Sequence, residues 1–177
     1  MEFSIQHLVS SIDMLSVSIA MAEDAADLTR LRCAAADHLT RQHGQGHWSG
    51  LTTERGVLYG IKTSRVLVAR DADGIVGTLR LATRKPWAID TRYFATVRRA
   101  LYLLDMAVDP RVQRQGIGRC LLDHARDVTR GWPADAIRLD AYDAGAGAGP
   151  FYAKYGFREV AHVSFRGVPL VYYELLL

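Results

Sequence analysis

The sequence has few of the features that mark secreted or membrane-bound proteins. It contains only two cysteines, and Cys33 and Cys120 each fall inside a helical apolar pattern, so we expect buried free thiols in a reducing compartment. No apolar run reaches the ~20 residues of a membrane span. Residues 1–15 lack the basic and apolar regions of a secretory signal. These absences favour a cytoplasmic protein.

The chain also lacks a strong excess of either charge. Its net charge is +3, lysine is scarce, and arginine carries most of the positive charge. This balance suits a small anionic ligand, but nucleic-acid binding would need clustered basic residues on one face. There is no internal repeat and no linker, and 177 residues suffice for one core. The sequence predicts a single domain over 1–177, with residues 1–12 as an N-terminal extension.

The apolar pattern predicts an α/β protein with one mixed sheet covered by helices. Antiparallel strands come first and a strand–helix–strand unit follows them. Residues 84–100 form a long irregular connection, and such loops are often functional. Strands are predicted over 15–22, 65–70, 75–83, 101–108, 136–142, 157–165 and 168–177, and helices over 23–44, 51–61, 117–131 and 150–156.

The junction between the strand 101–108 and the following helix has the composition of an anion site. It reads "VDPRVQRQGIGRCLLDHA" over 108–125. A helix start leaves backbone N–H groups unpaired and carries partial positive charge. Gly116 and Gly118 allow close approach to the backbone, and Arg114 and Arg119 add formal charge. The alternative is a plain turn that happens to contain glycine.

Two other phosphate-binding motifs do not fit this junction. No Lys-Ser or Lys-Thr pair follows the glycines, which excludes a nucleoside-triphosphate P-loop. The dinucleotide-binding pattern requires a third glycine at position 121, which is Leu121.

Two segments resemble the GNAT superfamily of N-acetyltransferases. The junction matches that family's acetyl-CoA-binding pattern, with Gln113, Gly116 and Gly118 in its defining positions. "FYAKYGF" at 151–157 is similar to the Phe-Tyr-x-Lys-x-Gly-Phe signature of the family's last helix and following strand. One position departs from the family: many members have an asparagine that contacts the pantetheine arm where this chain has Gly145.

The resemblance implies a GNAT-like fold and acetyl-CoA as co-substrate, with no metal. The fold would be a mostly antiparallel, twisted sheet of about seven strands with a splayed parallel pair, flanked by about four helices. The backbone of Met106, Ala107 and Val108 would bind the pantetheine arm, and Phe151 and Tyr152 would lie beside the cofactor. The pyrophosphate would be bound by the segment Gln113, Arg114, Gln115, Gly116, Ile117, Gly118 and Arg119.

The same resemblance assigns chemical roles to Tyr152 and Asp105. Tyr152 occupies the position of the family's general acid, which protonates the departing thiolate. The alternative is an aromatic side chain packed on a short helix. Asp105 is the only carboxylate within an apolar strand. It either faces the acceptor amine, as a similar carboxylate does in polyamine acetyltransferases, or is a structural aspartate held by backbone amides.

Candidate acceptor residues lie in loops. His38, His43 and His47 are close in sequence, but no acid or cysteine joins them at ligand spacing, so we expect no metal site. By resemblance, His47 and Trp48 face the acceptor. Trp87 and Tyr93, in the 84–100 connection, are further candidates, and ordinary loop residues are the alternative for all four.

The sequence therefore predicts an acetyltransferase domain that acetylates a primary amine by direct transfer in a ternary complex. The acceptor is a small molecule or a peptide, with no role for nucleic acid or membrane, and a homodimer is compatible with the family. The alternative is a CoA-binding sensor or interaction module with the same fold and little or no activity. The sequence does not identify the acceptor.

Overall fold

A computed structural model of the chain describes residues 15–177. The expected extension at residues 1–12 lies outside the described residues. Cys33 and Cys120 are free and half-buried. The strands are β1 (Ser16–Ile19), β2 (Arg65–Asp71), β3 (Gly74–Ala82), β4 (Ala100–Val108), β5 (Ala136–Tyr142), β6 (Arg158–Phe165) and β7 (Val168–Leu176), and the helices are α1 (Ala25–His43), α2 (Glu54–Thr63), α3 (Ile117–Gly131) and α4 (Gly149–Tyr155).

The predicted elements are present with small shifts at their ends. The first strand is shorter than the predicted 15–22, because a turn of 3-10 helix at Ala22–Asp24 leads into α1. The second helix begins at Glu54 instead of residue 51, because the Thr53 side chain caps it by accepting a bond from the Gly56 amide. Segment 83–99 is irregular except for one 3-10 turn at Thr91–Tyr93.

The strands form one seven-stranded sheet in the order β1-β2-β3-β4-β5-β7-β6. Every neighbouring pair is antiparallel except β4 and β5, which are parallel. This arrangement confirms the predicted fold class, including the parallel pair. The helix α3 connects the two parallel strands, as a parallel crossover requires.

The two faces of the sheet are covered by different elements. On the first face, α3 and α4 pack on the main core through buried residues such as Leu121, Leu122 and Tyr152. On the second face, α1 and α2 cover the β1–β4 half around Leu28 and Val57. Segment 83–99 packs on the remainder of that second face around a separate core. The second face therefore has two walls, one helical and one irregular.

A β-bulge in β4 changes which side chains face which side. Thr78 of β3 pairs with Ala107, whereas Arg80 pairs with Leu104, so Asp105 and Met106 together oppose one residue of β3. Asp105 takes a positive φ of 55° at this point. Leu101 and Leu103 belong to the core of the first face, and Met106 packs against that same core. The bulge places Met106 on the first face and turns Asp105 toward the helices of the second.

Candidate active site

The gap between β4 and β5 is the central feature of the site. The parallel register joins only Ala100–Tyr102 to Ala136–Arg138. Beyond that point β5 remains paired with β7 along its whole length, and β4 remains paired with β3. One edge of the distal half of β4, including Met106–Val108, therefore faces a gap instead of a neighbouring strand. An extended ligand arm can pair with such an edge through backbone hydrogen bonds.

The turn between β4 and α3 lies at the end of this gap. It is held by Asp109, whose carboxylate accepts bonds from the backbone and side chain of Arg111. The bonds with Arg111 are the main reason that the pKa of Asp109 lies below its usual value. The Gln113 side chain donates to the carbonyl of Val108 at 3.3 Å, which closes the turn. Gln113 thus shapes the turn with its side chain.

Two positive φ angles bring the chain into α3. Arg114 has φ 63° and Gly116, the N-cap of the helix, has φ 87°. The N-cap has no side chain to bond the first amides of α3. The unpaired N–H groups at Ile117, Gly118 and Arg119 are therefore free to bind an anion from within the first turn. Gln115 and Arg114 are exposed on the same turn.

Gly118 connects this turn to the signature helix α4. A Cβ at position 118 would lie 3.1 Å from Phe151 Cζ and 3.3 Å from Met106 Cε. The absence of a side chain there lets Phe151 and Met106 approach the start of α3. Phe151 is 36% exposed at the mouth of the gap. The turn before α3, the β4 edge and α4 therefore meet at one place.

Tyr152 lies at the inner end of the gap. Its ring packs edge-on against Phe157 and its hydroxyl lies 3.5 Å from Met106 Sδ. The residue is buried, and burial, followed by the charge of Asp140, raises the pKa of the phenol. Tyr152 therefore stays protonated at neutral pH. Its hydroxyl points from α4 toward the β4 edge, so the signature position and the gap coincide.

Asp105 is fully engaged by two guanidinium groups. Arg80 Nε donates to Oδ2 at 2.7 Å, and Arg32 Nη2 donates to Oδ1 at 2.9 Å. The carboxylate is 27% exposed. The partners are arginines from β3 and α1, not the backbone amides that the structural interpretation named. One visible signal was Arg80, a lone charge in an apolar strand that pairs with the strand of Asp105.

His47 and Trp48 lie beside the end of β5. The Tyr142 ring stacks on His47 at 6.4 Å between centroids and meets Trp48 edge-on at 5.8 Å. The Tyr142 hydroxyl donates to the carbonyl of His47, and Trp48 Nε1 donates to the carbonyl of Gly44. We call His47, Trp48 and Tyr142 the aromatic corner. Sequence reasoning had not included Tyr142, because a tyrosine at the end of a strand carries no motif.

The other two predicted acceptor residues are less enclosed. Tyr93 is 52% exposed and packs edge-on against Tyr172 at 5.8 Å. Trp87 is 83% exposed and, within residues 15–177, stacks on no other aromatic ring. The structure brings Tyr93 to the wall of the second face and leaves Trp87 at its rim.

Segment 83–99 is fixed to the sheet by buried polar contacts. The Tyr172 hydroxyl donates to the carbonyl of Ala88 and accepts from the Asp90 amide. Arg138 donates to the carbonyl of Ala95 and to Glu174, whose carboxylate is completely buried. The segment is therefore a rigid wall even though its backbone is irregular.

Asp140 is a carboxylate that sequence reasoning missed. It lies on β5 directly opposite Tyr172 of β7 and two residues before Tyr142. Within residues 15–177 its side chain makes no ion pair and no hydrogen bond to another residue. Burial raises the pKa of Asp140 above its usual value. The available signal resembled that of Asp105, since Asp140 is a lone acid in the apolar strand "AIRLDAY".

Gly145, the position that departs from the family pattern, lies in the loop after β5. A Cβ there would lie 3.6 Å from His43 Nδ1 at the end of α1.

Within the part of the chain that the structure describes, no three His, Cys, Asp or Glu side chains are grouped to hold a metal ion. None of the helices described here is long and apolar enough to cross a membrane.

Solved acetyltransferase structures share this architecture. A putative acetyltransferase of Salmonella typhimurium, YncA with its cofactor acetyl-CoA, is 20% identical, with a TM-score of 0.69 over 93% of this chain and 94% of that one. A ribosomal-protein-alanine N-acetyltransferase of Brucella melitensis is 18% identical, with a TM-score of 0.69 over 92% and 99%. Ard1 of Thermoplasma volcanium is 18% identical, with a TM-score of 0.68 over 93% and 98%. At these identities the likeness shows the fold alone.

The sequence itself matches a family model. No curated protein matches the chain significantly. The model of the acetyltransferase (GNAT) domain matches residues 62–159, from the end of α2 to the start of β6. The matched part includes the gap, the turn between β4 and α3 and Tyr152, and it covers more than half of the chain. The protein therefore belongs to the GNAT acetyltransferase family.

Proposed function

We propose that this protein transfers the acetyl group of acetyl-CoA to a primary amine, directly within a ternary complex. The observation that carries the proposal is the position of the Tyr152 hydroxyl, 3.5 Å from Met106 Sδ at the edge of β4 that has no strand beside it. A proton donor and an unpaired strand edge thus face each other. This is the arrangement that thioester aminolysis requires.

The β4 edge and the start of α3 would bind the co-substrate. Backbone groups of Met106–Val108 would pair with the pantetheine arm, and one N–H there would polarise the thioester carbonyl. The amides of the turn from Gln113 to Arg119 would bind the pyrophosphate, with Arg114 and Arg119 supplying formal charge. Gly116 supports this assignment because its φ of 87° turns the chain into the helix without a side chain in the way.

Tyr152 would protonate the departing sulfur. The amine nitrogen forms a bond to the acetyl carbon, the carbon–sulfur bond breaks, and the sulfur takes the phenolic proton. The acetylated nitrogen then returns a proton to the phenolate, directly or through water. Burial raises the pKa of the phenol, but it also raises the basicity of a thiolate in the same dry environment, so transfer remains favourable.

Tyr152→Phe tests this role, with Tyr155→Phe as the matched control. Tyr155 lies on the same helix, but its hydroxyl donates to Asp123 on α3, away from the gap. We expect the rate of acetyl transfer with Tyr152→Phe to fall by about 10²–10³, the usual scale for a general acid. Rapid-quench measurement of the first turnover, with a good acceptor from an amine panel, isolates the chemical step from product release.

The outcomes separate enzyme from sensor. Acetyl-CoA binding in isothermal titration together with amine-dependent thiol release establishes the proposed function. Acetyl-CoA binding without release of thiol to any amine of a broad panel favours the alternative, a CoA-binding sensor or interaction module. An unchanged first-turnover rate for Tyr152→Phe would remove this tyrosine from the mechanism.

A further inference from the structure

We call the β5 and β7 residues that project to the second face its floor. This floor holds a carboxylate with no bonding partner among the other described residues. Arg138, Asp140 and Tyr142 alternate along β5 and therefore project to the same side of the sheet. Tyr142 bonds to the loop after α1, and Arg138 bonds to segment 83–99. Asp140 therefore lies between the loop after α1 and segment 83–99. Among the described residues nothing bonds its oxygens except its own backbone amide.

The neighbours of Asp140 on this floor are aromatic. Tyr172 lies directly opposite it on β7, and Tyr142 lies two residues farther along β5, about 7 Å away at the rise of a strand. Tyr142 is part of the aromatic corner with His47 and Trp48. The face of an aromatic ring attracts a cation, and its apolar surface suits a flat group.

Two other acids near the gap are already compensated. Asp105 is bonded by Arg32 and Arg80, so its charge is compensated. Asp143, at the end of β5, is exposed and pairs with His162. Asp140 is the remaining carboxylate of β5, half-buried where β4 and β5 have separated. A half-buried carboxylate with no partner among the described residues is available to a cationic ligand, which would compensate its charge.

We propose that Asp140 binds the ammonium group of the acceptor and takes its proton, and that the aromatic corner receives a flat apolar or aromatic group attached to that amine. This inference rests on the proposed function and names its substrate class: primary aromatic or aryl-alkyl amines without a carboxylate. One proton passes from R–NH3⁺ to the carboxylate of Asp140. The neutral amine attacks the acetyl carbon, the carbon–sulfur bond breaks and Tyr152 protonates the sulfur. The acetylated nitrogen then returns a proton to the Tyr152 phenolate, and Asp140 releases its proton to water.

The placement of Asp140 relative to Tyr152 supports these roles. Tyr152 packs with Leu139 and Ala141 in the core of the first face, whereas Asp140, which alternates with them, projects to the second face. Burial, followed by the charge of Asp140, raises the pKa of Tyr152. Base and acid therefore approach the gap from its two sides. This is the geometry needed when an amine and a leaving sulfur lie on opposite sides of one carbonyl carbon.

The titratable groups that face Asp140 are known from each neighbouring element. They are Tyr142 on β5, Tyr172 on β7 and Tyr152 on α4. Burial is the main cause of the raised pKa of each, and the charge of Asp140 adds to it. Arg138, the nearest cation on the strand, is occupied by Glu174. None of these tyrosines ionises near neutral pH. We therefore expect kcat/KM to fall on the acid side of its pH profile as Asp140 takes up a proton. This acid limb should lie at a higher pH than the ordinary carboxylic acid pKa near 4.

The test compares three acceptors with the wild-type protein and with three variants of the full chain. Phenethylamine, n-butylamine and phenylalanine are assayed for thiol release from acetyl-CoA. We expect the kcat/KM of phenethylamine to exceed that of n-butylamine by about tenfold or more. Phenylalanine should be poorer still, because its carboxylate would approach Asp140. Trp48→Ala should raise the KM of phenethylamine and leave that of n-butylamine nearly unchanged.

Asp140→Asn carries the mechanistic part, with Asp143→Asn as the matched control. Asp140→Asn should lower kcat/KM by about 10²–10⁴ and abolish the acid limb, while the Kd of acetyl-CoA stays within twofold. Because folding raises the pKa of Asp140, its ionised form lowers stability as pH rises above the unfolded value. The variant should therefore melt at a higher temperature than the wild type at pH 8, and the gain should be smaller at pH 4.

Each result decides a separate point. If no amine releases thiol from the wild-type protein, the proposed function fails and this inference fails with it. If amines react but phenethylamine has no advantage, or if Asp140→Asn keeps its activity and its acid limb, the inference alone is overturned. A variant that unfolds instead of gaining stability would likewise contradict the unpartnered carboxylate.

Discussion

Gly118 permits a direct test of the proposed phosphate-binding turn. One added methyl group there should change protein stability little and acetyl-CoA affinity strongly. The new Cβ would lie 3.1 Å from Phe151 Cζ and 3.3 Å from Met106 Cε. Both atoms belong to the ends of side chains that can move by a few tenths of an ångström. Alanine also favours a helix over glycine by up to ~1 kcal/mol. We therefore expect the free energy of unfolding of Gly118→Ala to lie within about 1 kcal/mol of the wild type, which corresponds to about 2–4 °C in Tm.

The effect on acetyl-CoA should be much larger than the effect on stability. A side chain at position 118 would hold the pyrophosphate away from the first amides of α3. Loss of one hydrogen bond to a charged group costs about 1.5–3 kcal/mol, which weakens binding about 10- to 150-fold. Isothermal titration with acetyl-CoA measures this change, and calorimetric melting measures stability. Gly118→Val should weaken binding further, since its branched side chain fills more of the same space.

Two other glycines, at the two ends of α3, serve as controls. Gly131, the last residue of α3, has an ordinary φ and open space where a Cβ would lie, so Gly131→Ala should leave acetyl-CoA affinity within twofold. Gly116→Ala also meets open space, but its φ of 87° should cost about 1–2 kcal/mol of stability. If Gly118→Ala and Gly118→Val both bind acetyl-CoA within twofold of the wild type, the phosphate assignment is refuted.

Two ion-pair systems, one half-buried and one buried, give further predictions. Asp105→Asn should leave Arg32 and Arg80 without their shared partner and lower the free energy of unfolding by about 1–3 kcal/mol; a rise in acceptor KM with an unchanged Tm would show instead that Asp105 faces the amine. Glu174→Gln should leave the buried Arg138 guanidinium without its counter-charge and cost about 3–5 kcal/mol, or about 6–20 °C in Tm. A melting point within 2 °C of the wild type would contradict the latter reasoning.

The sequence sufficed to predict the sheet and the helices, because long apolar periodicity determines both. It also predicted the meeting of the α3 turn with α4 through two separate motifs. The bulge at Asp105 was not predictable in this way. Strict alternation from Leu101 and Leu103 would place Asp105 on the face of Tyr152, and only the extra residue in β4 turns it toward Arg32 and Arg80.

The proposed acceptor side was predicted less completely for a different reason. Its residues come from β5, from the loop after α1 and from segment 83–99, which are distant in sequence and share no motif. The family resemblance pointed to His47 and Trp48, but no sequence signal pointed to Tyr142, which packs against them. Asp140 and Asp105 are both lone acids in apolar strands, and only the fold shows that Asp105 is paired with arginines.

Segment 83–99 and the loop after α1 differ in how much sequence change they can accept. Segment 83–99 is joined to the sheet through Tyr172, Arg138 and the buried Glu174, so a substitution that shifts it also disturbs the folded core. The loop after α1 is held through the Tyr142 hydroxyl and the indole of Trp48. We therefore expect related proteins to diverge in acceptor preference mainly through the loop after α1, at little cost in stability. Engineering of new acceptors should begin at the same loop.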